Sequence, residues 1–252
     1  MPKKSKEWIC VRQRAGPLVK ECRAIRPRLS RYDDPFQRRE KNRILRPPRD
    51  SAVCRTATDR IELLLACFGY DGWSYVLEWP DETRPKTYQE LRKRSAKFIK
   101  YLRANMNGEP FDYFYRFECA HGKGNYHIHL TVSYNDFPPV IMEMLCKEFG
   151  DGITMEWQNP LLIHPHDSYR RTAVYLTKER QDGERIPVSA HPWGCSKSLR
   201  QKLPPPERFT SDSGAIEFPE HPRACGRATV DNAFGHYHYG WYIKQDPLHF
   251  VK

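Results

Sequence analysis

His127-Ile128-His129 sets two imidazoles two residues apart in a segment of alternating character. In a β-strand alternate side chains share a face, so His127, His129 and Thr131 point one way while Ile128, Leu130 and Val132 point the other. The apolar set seals against helices. The imidazoles are left adjacent on the open face, in a geometry suited to one metal ion. Taken alone, a His-x-His of this kind also fits two ordinary surface histidines. Residues 111–118 and 126–134 both alternate like strands, and the turn between them carries Gly122 and Gly124, so the pair reads as a hairpin. A turn centred there makes paired residue numbers sum to about 246, which sets Glu118 opposite the histidines with its carboxylate on their face. Two nitrogens and one hard oxygen, with positions left for water and phosphate oxygens, suit Mg²⁺ or Mn²⁺ acting on a phosphodiester. For Glu118 alone, a solvated acid at a strand end is the plainer alternative.

A second group with chemical potential is Tyr175, three residues before Lys178. At about 100° per residue, Tyr169, Ala173 and Leu176 form one helical stripe, the expected core stripe. Tyr175 lies off it, on the face of Arg171, Lys178 and Glu179. A hydroxyl among charged groups, one turn before a cation, can act as a nucleophile. A tyrosine at a core edge would show the same spacing.

These groups need elements to position them. Thr58 or Asp59 caps a helix through Ile61, Leu64 and Phe68, ended by Gly69. Residues 73–79 are rich in aromatic and β-branched types and read as a strand. Thr87 opens a helix to about Asn105, with an apolar stripe of Tyr88, Leu91, Phe98, Ile99 and Leu102. Its other face carries Arg92, Lys93, Lys97 and Lys100, either a solvated surface or a track for phosphates. Pro138 starts another helix to Phe149, residues 152–157 form a strand, and Asp167 or Ser168 caps a last helix to about Gln181. The order strand, helix, two strands, helix, strand, helix predicts an α+β fold, an antiparallel sheet with helices packed on one face. Residues 1–56 read as an irregular or weakly helical basic arm, 57–204 as the main domain, and 205–252 as a proline-rich extension with no assigned role.

Charge separates these regions. The net charge is +11; residues 1–60 hold 18 Lys and Arg against 7 Asp and Glu, while 61–252 hold 24 of each. A self-repelling cationic arm seeks a polyanion, and nucleic acid is the favoured partner over a merely solubilising role. No apolar run approaches the roughly 20 residues needed to cross a bilayer. Met1-Pro2-Lys3-Lys4 is followed by no apolar segment of the secretory kind. The eight cysteines are scattered without a Cys-x-x-Cys pair, as expected of free thiols in a reducing cytoplasm. His236 and His238, taken with His221 and Cys225, match no zinc spacing, and His164-Pro165-His166 reads as loop.

Together the motifs resemble the HUH endonuclease superfamily. His127-Ile128-His129 is similar to the HUH motif, Glu118 to its variable third ligand, and Tyr175-Leu176-Thr177-Lys178 to the catalytic Tyr-x-x-Lys helix. Histidines before tyrosine is the order of Rep-type initiators of phages and plasmids; relaxases carry the tyrosine first. Trp193 to Leu199 also resembles a segment that follows the tyrosine helix in phage replication proteins. The resemblance covers about residues 70–200. It implies a ferredoxin-like, RRM-like sheet and rolling-circle replication: Tyr175 nicks single-stranded origin DNA, leaving a 5′-phosphotyrosine and a free 3′-OH, and religates at termination. Lys178 would orient the phosphate, and Arg171 with the cations at 92–100 would bind the DNA backbone. With no G-x-x-x-x-G-K-[ST] in the chain, a host helicase is the implied partner, in the cytoplasm of a bacterium or other host of a mobile element. A single-tyrosine HUH transposase, a mobilisation relaxase, or a non-enzymatic RRM-like nucleic-acid-binding protein are the alternatives.

Overall fold

A computed structural model of the chain describes residues 7–25, 49–70, 72–120, 125–133, 135–158, 169–177, 192–232 and 235–245. The fold is α+β and divides into two compact units. The first comprises Met1–Ala66, His164–Thr177 and Leu203–Lys252; the second comprises Cys67–Ile163 and Lys178–Lys202. Among the described residues each holds one five-stranded antiparallel sheet. Among the described residues no helix is long and apolar enough to cross a membrane.

The second unit follows the predicted order strand, helix, two strands, helix, strand, but the last predicted helix, which carries Tyr175, belongs to the first unit. Its elements are β3 (Gly72–Glu78), α2 (Tyr88–Ala104), β4 (Tyr113–Ala120), β5 (Asn125–Ser133), α3 (Pro139–Phe149), β6 (Thr154–Gln158), β7 (Trp193–Cys195) and α5 (Lys197–Gln201). The strands lie in the order β6-β3-β5-β4-β7. Thr87 caps α2, its hydroxyl accepting from the Glu90 amide at 3.1 Å. The stripe Leu91, Phe98, Ile99 and Leu102 packs with Met142, Leu145 and Cys146 of α3 against Tyr75, Leu77, Phe117, Tyr126, Ile128, Leu130 and Val132 of the sheet. Both helices thus cover one face, and the alternation in β5 fixes which face that is. Ser196 ties β7 to α5, its hydroxyl accepting from the Leu199 amide at 3.1 Å while its own amide donates to Tyr113 O at 2.9 Å.

The first unit departs from expectation. Residues 8–25 do not form an irregular arm. They are a hairpin of β1 (Trp8–Ala15) and β2 (Leu18–Ile25), turned at Gly16, which takes a left-handed φ of 50°. The stretch after 205 supplies β8 (Glu207–Ser211), β9 (Ala224–Asn232) and β10 (Gly235–Ile243), giving the order β8-β1-β2-β10-β9. The N-terminal hairpin is therefore central to a sheet whose other strands come from the C-terminal end. The charges that made 1–56 look like an arm are partnered here. Arg12 bonds Glu21 across the strand pair at 2.7 Å, Arg14 bonds Glu207 at 3.0 Å, Arg23 bonds Glu21 at 2.6 Å, and Lys20 reaches Glu62 at 2.7 Å. The remaining cationic stretch, 26–48, lies outside the described residues.

Among the described residues, two helices belong to this unit. α1 (Arg49–Ala66) starts well before the predicted cap at Thr58 or Asp59, both of which are interior. It packs against α4 (Arg170–Leu176), and Arg170 bridges to Asp59 and to Glu62. α4 is shorter than predicted: Thr177 is its C-cap, and residues 178–191 lie outside the described set.

Candidate metal centre

The β4–β5 register pairs Glu118 directly with His127 and Arg116 with His129. Paired numbers thus sum to one less than the turn predicted, and Glu118 keeps its place on the histidines' face. Glu118 Oε2 lies 2.9 Å from His129 Nε2 and 3.8 Å from His127 Nε2. The imidazole centroids are 5.1 Å apart with their planes at 72°. One candidate ligand atom from each residue falls within 4.8 Å of the others, so Glu118, His127 and His129 form a cluster able to hold a metal ion.

The surroundings of His127 favour its ligand form. His127 Nδ1 lies 3.2 Å from the Asn125 carbonyl, which can only accept, so the proton sits on Nδ1 and the Nε2 lone pair faces the cluster. Burial, and then the neighbouring His129, hold the His127 pKa below its usual 6.5. The donor set is two nitrogens and one carboxylate.

The histidine face is less open than predicted. Glu118 and His129 are only 7% and 8% exposed, and Phe114, Arg116 and Thr131 on the same face are buried too. The face is not bare of packing groups: Phe114 stacks on Trp193 of β7 at 6.0 Å, and the Ser74 and Thr131 hydroxyls meet at 3.4 Å across β3–β5. Arg116 was missed in the sequence although the signal was present. Its place in the series Phe114, Arg116, Glu118 sets a buried cation on the cluster's face, across from His129.

Other predicted residues fall elsewhere. Arg92, Lys93, Lys97 and Lys100 are exposed as expected, but on α2, which covers the opposite face of the sheet from the cluster. The sheet itself therefore separates them from Glu118, His127 and His129. In the first unit Tyr169, Ala173 and Leu176 are buried, while Tyr175 is 48% exposed and Arg171 is exposed beside it on α4. The helix thus presents Tyr175 and packs Tyr169, as the stripe predicted. Lys178 and His164-Pro165-His166 lie outside the described residues. His221 and Cys225 are exposed.

No protein-family model, curated protein or solved structure matches this chain.

Proposed function

We propose that the chain is a metal-dependent, HUH-type endonuclease that nicks single-stranded DNA through Tyr175, in the manner of a rolling-circle replication initiator. The observation that carries this reading is the convergence of Glu118, His127 and His129 within 4.8 Å on one sheet face. A βαββαβ order with strands arranged four-one-three-two, from β6-β3-β5-β4, supports the same reading, since a ferredoxin-like sheet would show that order. Tyr175 adds a half-exposed tyrosine on a helix whose other tyrosine is packed away.

Glu118, His127 and His129 would hold Mg²⁺ or Mn²⁺, which supplies polarisation of a phosphodiester oxygen when bound. The Asn125 carbonyl fixes the His127 tautomer, and the proton between His129 Nε2 and Glu118 would give way to a bound ion. The Tyr175 hydroxyl loses its proton as its oxygen bonds to phosphorus, the P–O3′ bond breaks, and the 3′-oxygen takes up one proton and leaves as a hydroxyl, so the step is proton-neutral. The tyrosyl ester conserves the energy of the broken bond, so the reverse step religates without a nucleotide cofactor. Arg171 contributes positive charge on the tyrosine's own helix.

Incubation of the full chain with single-stranded DNA and Mn²⁺ should give a covalent protein–DNA adduct resistant to denaturing electrophoresis. Peptide mapping should locate the phosphotyrosine at Tyr175. Binding without any adduct would replace this reading with that of a nucleic-acid-binding module. Strand joining between two transposon ends would assign the same chemistry to transposition.

A further inference from the structure

We propose a second metal site, in the first unit, formed by His236 and His238 of β10. The two side chains lie on one face of the strand, and their Nε2 atoms are 2.7 Å apart. What lies behind each ring decides what that contact is. His236 Nδ1 bonds the Asp231 carboxylate, directly across the β9–β10 pair. His238 Nδ1 lies 2.7 Å from the Gly214 carbonyl. Both partners are acceptors, so each neutral ring carries its proton on Nδ1 and turns an Nε2 lone pair toward the other.

Two lone pairs at that distance repel unless a cation lies between or beside them. Imidazoles that donate Nδ1–H to a carboxylate and to a backbone carbonyl are the form in which histidine binds metals. At metal–nitrogen distances of about 2.0–2.1 Å, ligands about 90° to 110° apart stand roughly 2.9–3.4 Å from each other, so small side-chain rotations would admit an ion. The rings are held in place. The Trp8 indole packs against both, with centroids 5.6 Å from His236 and 4.8 Å from His238. A Cβ at Gly214 would run into that indole, so glycine is what lets this carbonyl approach His238. Arg23, which pairs with His238 in the sheet, directs its guanidinium to Glu21, the Ser211 hydroxyl and the Ser213 carbonyl.

The donor chemistry sets the class of ion. Two imidazoles with no carboxylate ligand suit Zn²⁺, Ni²⁺ or Cu²⁺, whereas the carboxylate-bearing cluster of the second unit suits a harder ion. The side chain of His236 is 39% exposed, which leaves coordination positions for water or an external ligand. This site is independent of the endonuclease reading.

The test is calorimetric titration of the full chain with Zn²⁺, in wild type and in a His127→Ala/His129→Ala background. His238→Ala should remove one equivalent of bound Zn²⁺ in either background. Asp231→Asn should keep the equivalent and weaken it by about tenfold. With Cu²⁺ in place of Zn²⁺, electron paramagnetic resonance of the double-alanine background should show coupling to two imidazole nitrogens, reduced by His238→Ala. Unchanged stoichiometry in His238→Ala would overturn the site. So would proton uptake by the pair near neutral pH with no stoichiometric Zn²⁺ binding.

Discussion

Replacing His129 with alanine probes the cluster most directly, because its effect has a metal-free part and a metal-dependent part. His129 and Glu118 side chains are each about one-tenth exposed and share a 2.9 Å bond. Without metal, the substitution leaves the Glu118 carboxylate buried without this partner, at a cost of about 2 kcal/mol, the scale of a lost bond to a charged group. The sequence alone predicts an undisturbed fold, because these side chains face away from the helices; their burial on the second face is what adds this penalty. With Mn²⁺ at about 100 times its dissociation constant, wild type gains about 2.7 kcal/mol and the variant none. The gap between the two proteins should therefore widen from about 2 kcal/mol in chelator to between 4 and 5 kcal/mol, roughly the sum of both terms, in Mn²⁺. Hydrogen exchange of β4 and β5 amides reads this locally, which matters in a chain of two units. Equal Mn²⁺ protection in both proteins would refute the ligand assignment. No metal-free difference would refute the buried contact.

Three further outcomes follow. Tyr175→Phe should abolish the DNA adduct while changing stability by under about 0.5 kcal/mol, since the ring is half exposed; Tyr169→Phe should retain nicking, and Tyr169→Ala should cost about 3 kcal/mol or more by emptying a buried site. The lowered His127 pKa means that the neutral ring is preferred in the folded state, so its contribution is complete above the usual 6.5 and is lost as pH falls below it; urea unfolding in chelator at pH 7.5 and 5.5 should show this loss, and His127→Gln should flatten it. Exchanging the arginines and lysines of 26–48 for glutamine should flatten the salt dependence of DNA binding, read as log K against log salt, while deleting 1–56 outright should unfold the first unit by removing β1 and β2.

What the sequence reveals depends on whether a strand's alternation is carried by apolar side chains. β5 alternates histidine and threonine against isoleucine, leucine and valine, so its two faces, the hairpin and the Glu118 partnership all follow from period two. β1 alternates as well, but with Arg12 and Arg14 in the series, and β2 carries Lys20 on one face and Glu21 and Arg23 on the other. Without the strand pairing in hand these read as a charged tail, because the partners that neutralise Arg14 and Lys20 are at Glu207 and Glu62, far along the chain. β10 did carry a readable signal: Tyr237, Tyr239, Trp241 and Ile243 alternate against His236 and His238. It was obscured by the prolines and exposed polar residues before it. The covering of the histidine face was not legible, since burial on that side comes from residues remote in sequence such as Trp193.

The geometry of the cluster owes its rigidity to the other side of the sheet. A slip of one residue in β4–β5 would turn Tyr126, Ile128, Leu130 and Val132, all buried, out of the core. At about 1.5–3 kcal/mol for each side chain, that slip costs on the order of 6–12 kcal/mol. The gain from any single metal ligand is smaller, so the ion does not choose the register; the apolar face does. Glu118 opposes His127 because Phe117 and Cys119 on one strand, and Tyr126 and Ile128 on the other, are fixed beneath the two helices. A preformed donor set of this kind would not have to be assembled by an ion, which under the proposed endonuclease reading would leave binding free energy for holding a phosphate rather than for ordering the strands.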